Sequence, residues 1–256
     1  MLTHGETNWR MNADQQDSEP YEAAAERRPL LIEVMGPAAV GKSSLVRTLR
    51  SKDDRIRAGL DVPRTRWFPV LVGKVATLLP VWVLRYRRDR WFTWNELKSI
   101  AFLDAWYRAS QRQTFPDALA TVIDHGPVYR LARLREFGPA IVRSEPFQRW
   151  WRASLDGWLN ALDIVVWLDA PDAVLLRRVE ERGHWFLSDD RPNEDKREFL
   201  ARYRRAFTET FGMGTGNEPR VVRLRSDRYS LTEMADQVLT ALGSAEVWFR
   251  LEGSHE

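Results

Sequence analysis

Leu30-Leu31-Ile32-Glu33-Val34-Met35-Gly36-Pro37-Ala38-Ala39-Val40-Gly41-Lys42-Ser43 is the stretch whose reading decides the fold. It opens with a short run rich in branched apolar side chains, the composition of a strand buried on both faces of a parallel sheet. From Gly36 the chain fits G-x-x-x-x-G-K-[ST]. Chemistry dictates that spacing. The glycines let backbone N–H groups curl around a phosphate, and the N-terminus of the following helix adds positive potential there. On this reading Lys42 reaches the β- and γ-phosphates of a nucleoside triphosphate, and the Ser43 hydroxyl holds Mg²⁺. Gly36, Ala38, Ala39, Val40, Gly41, Lys42, Ser43 and Ser44 form the candidate nucleotide-binding set.

Outward from this loop, strands and helices alternate. A helix is expected over 43–51. Further strands are expected over 119–124, 163–168 and 220–224, with a weaker one over 56–62. Helical patterns cover 95–112, 146–162, 174–182, 194–211 and 230–242. Pro171 suits a first helical position and Asp172 a helix N-terminus. The alternation predicts an α/β fold built on a parallel sheet.

The second long strand ends in Asp124, and ligands of open parallel sheets sit beyond the carboxyl ends of the strands. Asp124 is therefore a candidate metal ligand with Ser43, or a base for an acceptor. A turn aspartate capping Asp124-His125-Gly126-Pro127 is the competing reading. Arg177, Arg178 and Arg182 fall on the helix after the third strand. The polar stretch 183–193 holds Asp189, Asp190 and Arg191 and reads as a lid, with Arg197 beyond it. Arginine suits the equatorial oxygens of a transferring phosphoryl group, so Lys42, Asp124, Arg178, Arg182 and Arg191 are the candidate catalytic residues. The plainer reading is a solvated helix face, with Arg177 paired to Glu180 or Glu181 and Arg178 to Glu181.

The loop, the strand ending in Asp124, the run Leu168-Asp169-Ala170-Pro171 with Arg178 and Arg182 downstream, and the closing strand 221–224 with its helix together resemble the P-loop nucleoside and nucleotide kinases, in particular thymidylate-kinase-like proteins. The resemblance covers residues 31–242. It implies an α/β, three-layer P-loop NTPase fold with a mostly parallel five-stranded sheet, helices on both faces and a short arginine-bearing lid, phosphorylation dependent on ATP and Mg²⁺, and a loop at Arg225-Ser226-Asp227 near the adenine. Arg225 joins the candidate nucleotide contacts on that basis. The chain departs from the family at His125, where thymidylate kinases usually carry arginine, and between the first helix and Asp124, which is rich in tryptophan. The donor site carries over; the acceptor does not.

Composition bounds the alternatives. The 256 residues contain no cysteine, which excludes disulfides and Cys-based zinc sites, and the four histidines show no metal-ligand spacing. There is no Asn-Lys-x-Asp motif and no D-x-x-G after Asp124, so a GTPase is not expected. A P-loop ATPase and a non-catalytic nucleotide-binding module acting at a membrane stay open. The first 28 residues are polar and lack the apolar core of a secretory signal, which predicts a flexible tail on a cytoplasmic protein. A kinase-like domain is expected over 29–243 and a short C-terminal tail over 244–256. No nucleic-acid partner is expected; a small-molecule acceptor is, and a homodimer is plausible.

For the acceptor, Arg85, Arg87, Arg88 and Arg90 with Trp91 and Trp94, and a helix carrying Asp104, Trp106, Tyr107 and Arg108, suit an anionic compound with a flat or sugar-like body. Arg64 and Arg66 are candidates for the pocket mouth, and Glu96 and Asp104 are alternative acids. The apolar stretch 68–84 has one charge, Lys74. It reads either as a buried helix capping the acceptor pocket or, with Trp67 and Trp82 near its ends and arginines beyond, as a membrane-interface segment extending to Arg90.

Overall fold

The strand before the loop forms as its composition requires. β1 (Leu30–Met35) is buried along its whole length. Side chains alternate across a strand, so Leu30, Ile32 and Val34 face one apolar layer, while Leu31 and Met35 face another. Glu33 shares the second face and is fully buried there. A computed structural model of the chain describes residues 28–60, 62–111, 118–181, 193–214 and 219–252.

Around β1 the order of elements is α1 (Lys42–Lys52), β2 (Ile56–Ala58), α2 (Arg64–Val81), α3 (Trp94–Ser110), β3 (Ala120–Asp124), α4 (Pro127–Phe137), α5 (Glu145–Ala161), β4 (Ile164–Asp169), α6 (Asp172–Glu181), α7 (Asn193–Phe211), β5 (Arg220–Arg225) and α8 (Leu231–Glu252). The sheet order is β2-β3-β1-β4-β5, and every pairing is parallel. Register aligns Val34 with Asp124, Met35 with Trp167 and Asp169 with Arg225. The phosphate-loop candidate, Asp124 and Asp169 thus share the carboxyl edge of the sheet.

One face of the sheet is covered by α1 through Leu45, Val46 and Leu49, by α6 through Leu175 and Leu176, and by α8 through Met234, Ala235 and Val238. The other carries most of the aromatic side chains of α2, α3, α4, α5 and α7, including the fully buried Trp151, Trp158, Phe147 and Phe207. Helices on both faces of a five-stranded parallel sheet are the three layers the sequence predicts.

Three elements differ from expectation. α4 runs through a stretch to which the sequence reading assigns no element, and only its first residue, Pro127, falls in the loop read after Asp124; there a missing N–H costs nothing. α8 continues to Glu252, so the backbone is helical well into the stretch read as a tail. The apolar stretch 68–84 is helical but is not a buried helix: only Trp67, Leu71 and Leu78 of α2 are buried. A run apolar all round gives no periodic clue to which side faces the core.

Candidate functional site

The loop conformation depends on glycine. Gly36 has φ of 144°, and a Cβ there would lie 2.2 Å from the Leu168 carbonyl oxygen. The loop therefore lies against the end of β4 in a backbone state that other residues rarely adopt. Gly41, at φ 104°, precedes α1 as its N-cap, with no side chain satisfying the first-turn N–H groups. Those donors point where an anion binds.

Lys42 is buried, and its Nζ donates to the carbonyl oxygens of Gly36 and Pro37, each at 2.9 Å. The loop thus curls around its own lysine. Burial pushes the Lys42 ammonium down to about 8, partly offset by Asp124 and reinforced by Arg133. The Ser43 hydroxyl donates to Asp124 Oδ2. Asp124 Oδ1 is 2.9 Å from His125 Nδ1. Burial pushes the Asp124 carboxyl up, but His125, Ser43 and Lys42 together outweigh it and hold the group below its ordinary value. Asp124 is therefore an anion at neutral pH. A serine hydroxyl and an ionised carboxylate converging at a helix N-terminus form a hard oxygen donor pair of the kind Mg²⁺ accepts, with water completing the shell.

Behind this pair lies a buried ionisable group. Glu33 accepts from the backbone N–H of Val128 at 2.9 Å and of Tyr129 at 2.8 Å, capping α4 from inside the sheet. A Cβ on Gly126 would lie 2.8 Å from the Glu33 carboxyl carbon, so glycine at that position lets the helix start pack directly on the acid. Desolvation pushes Glu33 up to about 7 against those two hydrogen bonds and the nearby Arg130 guanidinium. Glu33 fixes the start of α4, and with it the Asp124-His125 turn, where His125 has φ 54°.

A cleft of about 910 Å³ opens between the phosphate loop, α3 and α4. Among the described residues its cations are Lys42, Arg47, Lys98, Arg130 and Arg133, and its acid is Glu96. Glu96 is already engaged. It closes a capping box with Thr93 and takes both guanidinium nitrogens of Arg90, at 2.8 and 2.9 Å. Arg130 donates from Nη1 to Ser99 Oγ at 2.9 Å and from Nε to the His125 carbonyl at 3.0 Å. Its guanidinium lies 4.8 Å from the Trp106 ring centre, which holds the charge without a carboxylate partner among these contacts. Phe102 and Tyr129 add flat apolar wall.

Lys42, Ser43 and Asp124 are therefore brought together as the sequence predicts. Arg178 turns to the loop after β5, donating to Ser226 Oγ at 2.9 Å and the Ser226 carbonyl at 2.8 Å. Arg225 pairs with Asp227 in that loop. Neither lines the cleft. Arg177 meets Glu181 at 3.7 Å on an exposed face. Arg182, Arg191 and nearly all of the lid lie outside the described residues. Asp104 is occupied by Lys74 at 2.9 Å and by the Trp150 indole N–H at 2.9 Å, so it and Glu96 serve as structural acids. Arg85, Arg87, Arg88, Arg64 and Arg66 are exposed and do not line the cleft, and Arg90 reaches it only through Glu96.

Three features escape a reading of the sequence. Glu33 is one, although a charge in the middle of a buried strand marks it. Arg130 and Arg133 on α4 are the second. The third is Arg204, whose guanidinium reaches Asp169 at 3.1 Å, Asp172 at 2.5 Å and the Ala170 carbonyl at 2.8 Å, locking α7 to the carboxyl end of β4. Among the described residues no group of three or more His, Asp or Glu side chains forms a metal cluster.

No protein-family model matches the sequence, and no curated protein matches it in sequence. Solved structures of similar fold include the YorR protein of Bacillus subtilis in complex with phosphorylated GDP, with a TM-score of 0.46 and 16% identity, covering 88% of this chain and 99% of that one. A thymidylate kinase from Candida albicans has a TM-score of 0.49 and 14% identity, covering 86% and 93%. A deoxyadenosine kinase from M. mycoides with bound dCMP and dCDP has a TM-score of 0.44 and 13% identity, covering 84% and 99%. Sheet order, the loop between β1 and α1, and the acid that ends β3 give the chain a three-layer α/β fold whose five parallel strands carry a phosphate-loop candidate after the first.

Proposed function

We propose that this chain is a phosphotransferase that moves the γ-phosphoryl group of ATP to a small anionic acceptor bound in the cleft between α3 and α4. The observation that carries the reading is the cleft itself. A site that only hydrolysed ATP needs room for a water molecule. The cleft of about 910 Å³ runs from the phosphate loop out between α3 and α4, so it extends past the residues that would hold the nucleotide phosphates and leaves room beside them for a second ligand. Beyond Lys42, four Lys and Arg side chains among the described lining residues, Arg47, Lys98, Arg130 and Arg133, face one carboxylate already paired with Arg90, which favours an acceptor bearing a phosphate or carboxylate.

Lys42 leaves the Gly36 and Pro37 carbonyls for the β- and γ-phosphate oxygens, and the N–H groups that open α1 donate to the same anion. Ser43 and Asp124 would hold Mg²⁺, which neutralises phosphate charge when bound. Arg47, Arg130 and Arg133 hold the acceptor, with its flat part against Phe102 and Tyr129. The bond from the γ-phosphorus to the β-phosphate oxygen breaks as a bond to the acceptor oxygen forms, and ADP leaves. If that oxygen is a hydroxyl, it loses its proton to the ionised Asp124 only as its bond to phosphorus forms and its acidity rises.

The test is ADP formation by purified protein with and without nucleosides, nucleoside monophosphates, sugars and amino alcohols. Turnover should be low alone and rise with an anionic acceptor, and Arg130→Ala should raise the KM for acceptor while leaving that for ATP. Equal turnover with every addition and with none would favour an ATPase instead.

A further inference from the structure

Away from the cleft, α2 presents an exposed face that the kinase reading does not use. The helix continues through a π-helical turn, Trp82–Tyr86, so Arg64–Tyr86 is helical over 23 residues. At 1.5 Å per residue its length is roughly 35 Å. Its inner side is committed to the protein. Trp67 packs on Phe102 with ring centres 5.1 Å apart, Leu71 and Leu78 are buried, and Lys74 reaches Asp104 at 2.9 Å and lies 4.7 Å over Trp150.

The outer side is apolar and open. Phe68, Val72, Leu79, Val83 and Leu84 are 41%, 53%, 42%, 48% and 81% exposed. Phe68, Val72, Leu79 and Val83 recur at helical spacing and share one stripe, with Pro69, Gly73, Ala76 and Pro80, also exposed, adding no charge. Exposed arginines bracket the stripe, Arg64 and Arg66 before it and Arg85, Arg87 and Arg88 after it. No Asp or Glu occurs from Arg64 to Arg88. A long apolar stripe with cations at both ends and no acid is complementary to a surface that is greasy inside and negative at its rim.

We propose that α2 docks this protein on an anionic lipid surface, with its outer stripe in the interface and its terminal arginines among the headgroups. The helix lies along the bilayer and does not cross it, because the stripe through Trp67, Leu71, Lys74 and Leu78 is bound to α3 and α5. A second copy of the chain fits the same face poorly. Laying one α2 along another about a two-fold axis brings arginines of one copy against arginines of the other, with no acid on either helix to offset them. The docking stands on this face alone and does not depend on phosphotransfer.

The experiment is co-sedimentation of the full chain with vesicles of phosphatidylcholine alone or mixed with phosphatidylglycerol, with light scattering of the free protein alongside. Binding should appear with the anionic vesicles only and weaken as salt is raised. Leu79→Glu with Leu84→Glu, both at exposed positions, should lower the bound fraction about tenfold or more, and Arg87→Glu with Arg88→Glu likewise. Unchanged thermal melting of both variants separates lost docking from lost fold. Protein that stays in the supernatant at low salt overturns the proposal. So does sedimentation that survives the Leu79 and Leu84 replacements, which would make the attraction purely electrostatic. A dimer in free solution that those replacements disperse would assign the face to a second copy and overturn it as well.

Discussion

Replacing Glu33 with glutamine tests whether a buried charge inside the sheet holds the acceptor-side helix in place. Glu33 is fully buried, and its carboxyl is raised from 4.5 to about 7. At 1.36 kcal/mol per unit, that difference is worth roughly 3 kcal/mol. The folded state binds the Glu33 proton more tightly than the unfolded chain. Its contribution to stability is therefore fully present below about pH 4.5, declines as pH rises, and is gone above about pH 7. Above that pH the protein buries a carboxylate whose compensation comes from the N–H groups of Val128 and Tyr129 and from Arg130.

Glu33→Gln removes the titration. It also turns an amide N–H₂ toward one of the two backbone donors, which costs about 1 to 2 kcal/mol at every pH. The assay is urea unfolding of both proteins from pH 5 to pH 8. With 36 acids and four histidines in the chain, neither curve alone reports on Glu33, but the difference between them does. The wild type should be the more stable at pH 5, and its advantage should shrink by roughly 2 to 3 kcal/mol by pH 8, vanishing or reversing. Stability curves that stay parallel across this range would refute the assignment of a proton to the buried carboxyl.

Four further outcomes follow from the same geometry. Lys42 sits near 8 when held by its own loop and should rise on meeting phosphate, so ATP binding should take up a proton between about pH 8 and 9 and little at pH 6; calorimetry in buffers of different ionisation enthalpy reads this, and Lys42→Ala should abolish it. Asp124→Asn should cut turnover roughly 10²-fold or more while ATP still binds, and a melting temperature within a degree or two of wild type would separate that loss from misfolding. Gly36→Ala places a Cβ 2.2 Å from the Leu168 carbonyl oxygen and should cost roughly 2 kcal/mol or more as well as most ATP affinity, measured by urea unfolding and nucleotide titration. Arg178→Ala removes the two bonds to Ser226, so amide exchange around Arg225 to Asp227 should quicken by about tenfold, equivalent to roughly 1.4 kcal/mol.

Local spacing carries the phosphate-loop half of the candidate site, and that half is legible in the sequence. The loop from Gly36 to Ser43 needs only its own glycines and the strand and helix beside it, and Asp124 needs only to end a strand that pairs with β1. The half of the cleft formed by α3 and α4 depends on contacts distant in sequence. Gly126-Pro127 reads as a turn, and three arginines at 130, 133 and 135 dilute the apolar pattern of α4, so the helix holding Arg130 and Arg133 is hidden. Glu33 is visible as a misplaced charge, but its partner is a helix start 95 residues away. Arg178 looks like one of a basic group until Ser226, distant in sequence, claims its guanidinium. The stretch 68–84 is apolar on every side, and only packing against α3 reveals which stripe is inner.

The central claim is that a phosphoryl group passes from ATP to a molecule in the cleft. The fate of label from γ-labelled ATP tests it most directly, followed in the presence of a panel of phosphate- and carboxylate-bearing small molecules. Transfer to a molecule in the cleft puts label in an organic product that appears only with its acceptor, is lost in Lys42→Ala and needs more acceptor in Arg130→Ala. Label released only as inorganic phosphate, at one rate whatever is added, would contradict it.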